Sequence, residues 1–163
     1  MRWSLVDFPG YTALRLAAED GALVRVEFVG GGAPASSSGV LTEGVHDDAD
    51  PLLRRAADEL AEYFARRRER FTIPLRPRGT SFQLSVWEQL RAIPYGVTRS
   101  YRDLANAIGR PAATRAVGAA NGANPLPIFL PCHRVVGSNG TLTGFGGGIE
   151  LKAALLRLEG VLL

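Results

Sequence analysis

The chain has one cysteine, two histidines and no long apolar run, and each shortage removes a class of answer. A single cysteine, Cys132, cannot close an internal disulfide. With no cysteine cluster to hold a structural zinc, the expected setting is a reducing compartment. The N-terminus, MRWSLVDFPG, lacks the apolar core of a secretory signal, and no run approaches the about 20 residues of a bilayer-spanning helix. The expectation is a soluble, cytoplasmic protein with no membrane partner. With 163 residues at 46% hydrophobic composition, it can bury a core as one domain or two small ones. Acids are scarce only in the second half. Residues 1–78 hold eleven arginines against twelve acids, net −1, whereas residues 79–163 hold eight basic residues against four acids, net +4. Such a surplus either keeps a surface soluble or favours a polyanion, and charge alone leaves both open.

The pattern predicts an α/β (α+β) chain in two parts, 1–78 and 79–163. Trp3–Phe8, Ala13–Ala18 and Leu23–Val29 are rich in strand formers and separated by Pro9-Gly10 and Asp20-Gly21, which predicts a small antiparallel sheet. GGAPASSSG at 31–39 reads as a flexible loop leading into an acidic, weakly patterned segment up to Asp50. Asp50-Pro51 then caps a covering helix in which Leu53, Ala56, Leu60 and Phe64 share a face. The run RRRER at 66–70 is placed on the end of that helix, where cations suit the C-terminal dipole. Phe71–Leu75 reads as a short strand and RPRGT at 76–80 as a linker.

In the second part, Thr80 with Gln83 and Ser100 with Asp103 are capping boxes. The first opens a helix with Phe82, Val86 and Leu90 on one face; the second opens Tyr101–Ile108, which Gly109 ends. Pro111 is placed in the first turn of a following helix that runs to about Asn121, and the pair has the outline of a helix-turn-helix. Arg115, Gly118, Ala119 and Gly122 fall at i, i+3, i+4 and i+7, so one face carries a long cation among residues with almost no side chain. That face suits tight helix packing or close approach to a ligand, and spacing leaves both open. A final helix, Ile149–Leu158, is expected to bury Leu151, Leu155 and Leu158.

The only cysteine stands in FLPCHRVVGSNG, directly before His133. A thiol works as a nucleophile only as thiolate, so it needs a base or an anion-stabilising neighbour. Adjacent side chains on a strand point apart, so pairing Cys132 with His133 requires a turned backbone at 131–134 or a bridging water. The acids available to orient the histidine are Glu88, Asp103, Glu150 and Glu159, and spacing does not choose among them. A buried, inert cysteine beside a surface histidine fits the dipeptide equally. GFGGG lacks the strand-to-helix context of a dinucleotide site, and no cofactor is expected.

The string ANPLPIFLPCHRVVGSNGTLTGFGGG resembles the active-site segment of the O6-alkylguanine-DNA alkyltransferases, whose signature is PCHRV. The resemblance continues in order from about Gly79 to Gly160, through GTSFQLSVWEQLRAIPYGVTRSY, RAVGAANGANP, TGFGGG and KAALLRLEG. Residues 1–78 share only the layout of a small sheet with a helix. The resemblance implies direct reversal of DNA damage, by irreversible, stoichiometric transfer of an alkyl group from O6-alkylguanine to Cys132, with acceptance of O4-alkylthymine left open. It implies a relay of Cys132, water, His133 and Glu159, with Asn124 bracing the turn before the cysteine and the Tyr101 hydroxyl serving guanine N3. Pro127, Val135, Phe145 and Gly146 would line the substrate pocket. Arg115, Gly118, Ala119 and Tyr101 would meet double-stranded DNA in the minor groove, Arg115 entering the stack as the damaged nucleotide is flipped. The implied state is a monomer, with cooperative assembly on DNA left open. Phe145 stands where many relatives have tyrosine, and only His46 is available in the first part for the zinc that some relatives bind, so no metal is expected. A non-catalytic binder of alkylated DNA, a Cys-His hydrolase and a transcription regulator are the rival readings.

Overall fold

Two tight turns shape the first sheet. Tyr11 N–H bonds the Phe8 carbonyl at 3.0 Å, and Asp20 and Gly21 both take positive φ (49° and 78°), the conformation that joins adjacent twisted strands. In this computed structural model, which describes residues 1–30 and 44–161, they fold Arg2–Phe8 (β1), Thr12–Glu19 (β2) and Ala22–Val29 (β3) into an antiparallel meander. The Gly/Ser-rich stretch expected as a loop at 31–39 lies outside the described residues. The chain divides into two compact units, Met1–Pro77 and Arg78–Leu163, which together make a mixed α/β fold.

Three sequence expectations in the first unit are corrected. Val45–His46 (β4), within the segment read as acidic and weakly patterned, pairs in parallel with β1 and gives the order β3-β2-β1-β4. Two residues are too few to carry an alternating signal. Next, Pro51–Phe64 (α1) does start at Asp50, whose carboxylate accepts from Leu53 N–H at 3.0 Å, and it buries Leu53, Ala56, Leu60 and Tyr63. The arginine run, however, lies beyond this helix: Arg66 turns away at φ 60°, and Arg68 folds back to pair with Glu62 at 2.8 Å. Finally, Phe71–Leu75 is not a strand but makes a single bridge, Leu23 to Leu75. The buried Glu59 carboxylate takes the Thr72 N–H and hydroxyl, and Pro74 has no N–H to give a ladder.

The second unit opens on a close approach. A side chain at Gly79 would come within 2.5 Å of the Trp87 ring, so only glycine fits there. The Thr80 capping box starts Ser81–Arg91 (α2), which buries Val86, Trp87 and Leu90, and the Trp87 indole N–H bonds the Ala120 carbonyl at 2.8 Å. Arg99–Ser100 (β5) leads through the Ser100 capping box into Tyr101–Ala107 (α3), after which Gly109 takes φ 74°. The next helix, Thr114–Gly122 (α4), starts three residues after the expected Pro111. Ala113 N–H bonds the Arg110 carbonyl at 2.9 Å, so the proline instead occupies a turn between α3 and α4.

Val135–Val136 (β6) pairs in parallel with β5, a contact the sequence did not suggest, and this sets the start of α3 beside the chain leaving Cys132. Ile149–Leu158 (α5) follows Gly148 and buries Leu151, Leu155 and Leu156; Leu158 is only half-buried, contrary to expectation. No helix among the described residues is long and apolar enough to cross a membrane.

Candidate active site

Cys132 is placed by a sequence of tight turns. Asn124 donates from Nδ2 to the Leu130 carbonyl at 2.8 Å and accepts from Leu126 N–H at 2.9 Å, bracing the 124–130 loop from within. Inside that loop Ile128, fully buried, takes φ 75°, a conformation that costs a branched residue on the order of 1–2 kcal/mol and persists only where packing enforces it. Pro131 then bends the chain so that Cys132 N–H meets the Leu130 carbonyl at 2.7 Å, and Cys132–Arg134 form one 3-10 turn. The backbone at 131–134 is therefore turned.

His133 is fully buried, and its Nε2–H donates to Glu159 Oε2 at 2.6 Å. Of the four acids that sequence left open, this is the one that meets the ring. Asp103 is committed to the Ser100 cap, which holds its carboxyl below the usual range, and Glu88 and Glu150 are exposed. Because Nε2 carries the proton, Nδ1 holds the lone pair; it is buried without a protein partner, so it makes no direct hydrogen bond to Cys132. Burial lowers the His133 pKa, against the opposing pull of Glu159, and the ring is a neutral base. For Glu159, burial alone would raise the pKa, but His133 and Arg134 outweigh it and hold the carboxyl down at about 2.

Burial pushes the Cys132 thiol up to about 11. Against it act a hydrogen bond from the Asn124 side chain, the charge of Lys152 and the N–H groups of Cys132 and His133. Cys132 is buried and its fixed donors all favour the thiolate, so the anion is stabilised most once its proton has somewhere to go.

The other expected residues are distributed around this centre. Tyr101 opens α3, half-buried, with its hydroxyl 2.8 Å from the Thr143 hydroxyl. Pro127 and Val135 are buried, the first bridged to Leu130 and the second paired with Arg99. Phe145 is half-buried and Gly146 exposed. On α4, Arg115, Ala119 and Gly122 are exposed and Gly118 partly so. A side chain at Gly118 would touch only the Tyr101 ring, at 3.9 Å, and one at Gly122 would meet nothing. The small-residue face is thus not a packing seam, and α4 turns Val117, Ala120 and Asn121 inward instead. In the first unit, His46 bonds Asp48 at 2.9 Å, and its ring lies 4.5 Å from that of Trp3 at a tilt of 30°.

Family models match both units: "6-O-methylguanine DNA methyltransferase, ribonuclease-like domain" over residues 1–77 and "6-O-methylguanine DNA methyltransferase, DNA binding domain" over 81–161. The chain is similar to the inducible methylated-DNA–protein-cysteine methyltransferase of Bacillus subtilis, 56% identical over 110 residues that cover 68% of this chain and 62% of that one. It is also similar to the methylated-DNA–protein-cysteine methyltransferase of Methanosarcina acetivorans, 50% identical over 68% of this chain and 71% of that one. Among solved structures, Mycobacterium tuberculosis OGT in complex with DNA superposes with TM-score 0.88 at 42% identity, covering 98% of this chain and 92% of that one. The chain belongs to the O6-methylguanine DNA methyltransferase family.

Membership places it among DNA-repair proteins that move an alkyl group from DNA to a protein cysteine. Around Cys132, sequence reasoning missed three residues. Arg134 is buried, clamps Glu159 and donates to the Ile93 carbonyl at 2.7 Å. Lys152, the one lysine of the chain, is fully buried, which lowers its pKa to about 8, and its Nζ donates to the Thr143 carbonyl at 2.8 Å. Thr143 itself bonds Tyr101. All three stand in the family-like strings, Arg134 in PCHRV, Thr143 in TGFGGG and Lys152 in KAALLRLEG, but no spacing signal marks them as site residues.

Proposed function

We propose that Cys132 is the alkyl acceptor and that it reacts once, with O6-alkylguanine in duplex DNA. The observation that carries this reading is the pairing of a buried thiol, surrounded by anion-stabilising donors, with a neutral His133 whose second nitrogen is fixed by Glu159. The thiol proton passes to His133 Nδ1 through a water, since the two side chains make no direct bond. The sulfur attacks the alkyl carbon in line, a C–S bond forms as the C–O6 bond breaks, and the electron pair leaves on guanine, which takes a proton at N3 from the Tyr101 hydroxyl. The product is a thioether with no carbonyl for water to attack, so the protein does not regenerate.

An atom inside the duplex is out of reach of a buried thiol, and the nucleotide must therefore be extruded. The exposed Arg115, Gly118, Ala119 and Gly122 face supports entry into the minor groove, with backbone close to the DNA and Arg115 filling the vacated stack. Pro127, Val135, Phe145 and Gly146 line the pocket for the flipped base. The protein acts as a cytoplasmic monomer without metal or cofactor.

Intact mass after incubation with excess methylated duplex tests this reading. The expected result is one methyl group per chain, on the Cys132 peptide, and no further turnover. Cys132→Ser should accept none yet bind the duplex. Sustained turnover would overturn the reading in favour of a hydrolase.

A further inference from the structure

Thr143 is tied on two sides. Its hydroxyl lies 2.8 Å from the Tyr101 hydroxyl at the start of α3, and its carbonyl accepts from Lys152 Nζ, 2.8 Å away on α5. The residue is itself exposed, whereas Lys152 is fully buried. Taking an ammonium group out of water costs several kcal/mol. Here that group is directed at the backbone of one loop residue, which fixes where the threonine side chain stands relative to α3.

The contact between the two hydroxyls has a direction. Two groups with one proton each share one hydrogen bond, so one of them donates and the other keeps its proton free. If Tyr101 donated to Thr143, the phenol would have nothing to give a substrate. If Thr143 donates, the phenol proton is free, and its oxygen already accepts a hydrogen bond that strengthens as charge grows on it. We propose that Thr143 is a positioning residue that donates its hydroxyl proton to Tyr101 Oη, aiming the phenol proton at the leaving guanine and stabilising the oxygen as that proton departs. This rests on the alkyl-transfer reading above. No other reactant is needed: the proton moves from Tyr101 to guanine N3 as the C–O6 bond breaks, and the Thr143 hydrogen bond shortens onto the phenolic oxygen.

Single-turnover transfer from a methylated duplex, with protein in excess, tests the proposal across Thr143→Val and Thr143→Ser, each made in the wild-type and the Tyr101→Phe backgrounds. Valine keeps the shape and removes the donor; serine keeps the donor. In the wild-type background Thr143→Val should slow transfer about 10- to 100-fold, the range for a hydrogen bond to a group gaining charge, with duplex affinity and melting temperature unchanged. Thr143→Ser should stay within about threefold of wild type, less than the loss of one ordinary hydrogen bond. In the Tyr101→Phe background Thr143→Val should have no effect, because the group it acts through is gone. An equal slowing in both backgrounds, a faster Thr143→Val variant, or failure of serine to restore the rate would overturn the proposal. If the wild-type chain itself gains no methyl group at Cys132, the alkyl-transfer reading fails first and takes this inference with it.

Discussion

Arg134 grips both carboxylate oxygens of Glu159, Nε to Oε1 at 2.8 Å and Nη2 to Oε2 at 3.1 Å, and the same carboxylate holds the His133 ring. All three side chains are buried, so removing Arg134 leaves the Glu159 charge without its counterpart. Arg134→Met should therefore cost about 3–5 kcal/mol in urea unfolding. It should also let the His133 pKa rise, since the Arg134 charge contributes to holding it down, and the acid limb of the transfer rate should move to higher pH. A variant as stable as wild type would mean the clamp is energetically idle.

Glu159→Gln removes the charged partner of the imidazole, so an imidazolium formed on taking the thiol proton is less stabilised. The pH at which Cys132 is alkylated should rise. An unchanged pH–rate profile in folded protein would remove Glu159 from the relay.

The same carboxylate makes the fold acid-sensitive. Its folded-state pKa, about 2, lies below the unfolded value near 4.5, so its contribution is complete above the unfolded value and is lost as pH falls toward 2. The difference corresponds to about 3 kcal/mol. His133 acts in the same direction, because burial depresses its pKa and the unfolded chain binds a proton more readily below its usual 6.5. Urea midpoints should fall between pH 7 and pH 5, and fall more steeply between pH 5 and pH 3. A flat profile across the lower interval would contradict the assignment.

Lys152 and Asn124 both pull the Cys132 pKa down against burial. Lys152→Met and Asn124→Ala should raise it further and leave less thiolate at any pH below about 11. Modification by iodoacetamide at pH 8, followed by mass, should slow in proportion to the thiolate lost. Because Asn124 also braces the 124–130 loop, Lys152→Met is the cleaner comparison. Rates equal to wild type in both would mean that neither group stabilises the anion.

The α4 face separates DNA contact from internal packing. Gly118→Leu should leave the melting temperature nearly unchanged, since only the Tyr101 ring lies near, but weaken duplex binding by roughly tenfold or more. Arg115→Ala should slow transfer from duplex DNA far more than reaction with the free modified base, because only the duplex requires extrusion. Equal slowing of both substrates would take Arg115 out of the flipping step.

Much of the fold was legible because its signals are local. Asp20-Gly21, Asp50-Pro51, and the Thr80 and Ser100 capping boxes each satisfy backbone groups within a few residues, so their chemistry is written in adjacent letters. The order of motifs around PCHRV likewise pointed to the family without coordinates. What sequence left open was decided at long range. Which of four acids meets His133 depends on α5 returning a residue 26 positions away. The two-residue pairings of β4 with β1 and of β5 with β6 are too short to show a period. Whether the small-residue face of α4 was a seam or a surface depended on which side of that helix α2 and α3 occupied. Nothing in the sequence singles out Lys152, and only the loop carrying Thr143 gives its buried ammonium a partner. Local chemistry thus determined where the elements begin and what reaction to expect, whereas the protonation and orientation of the reacting groups arose only from folding, because desolvation and charge pairing act between residues that the chain brings together from afar.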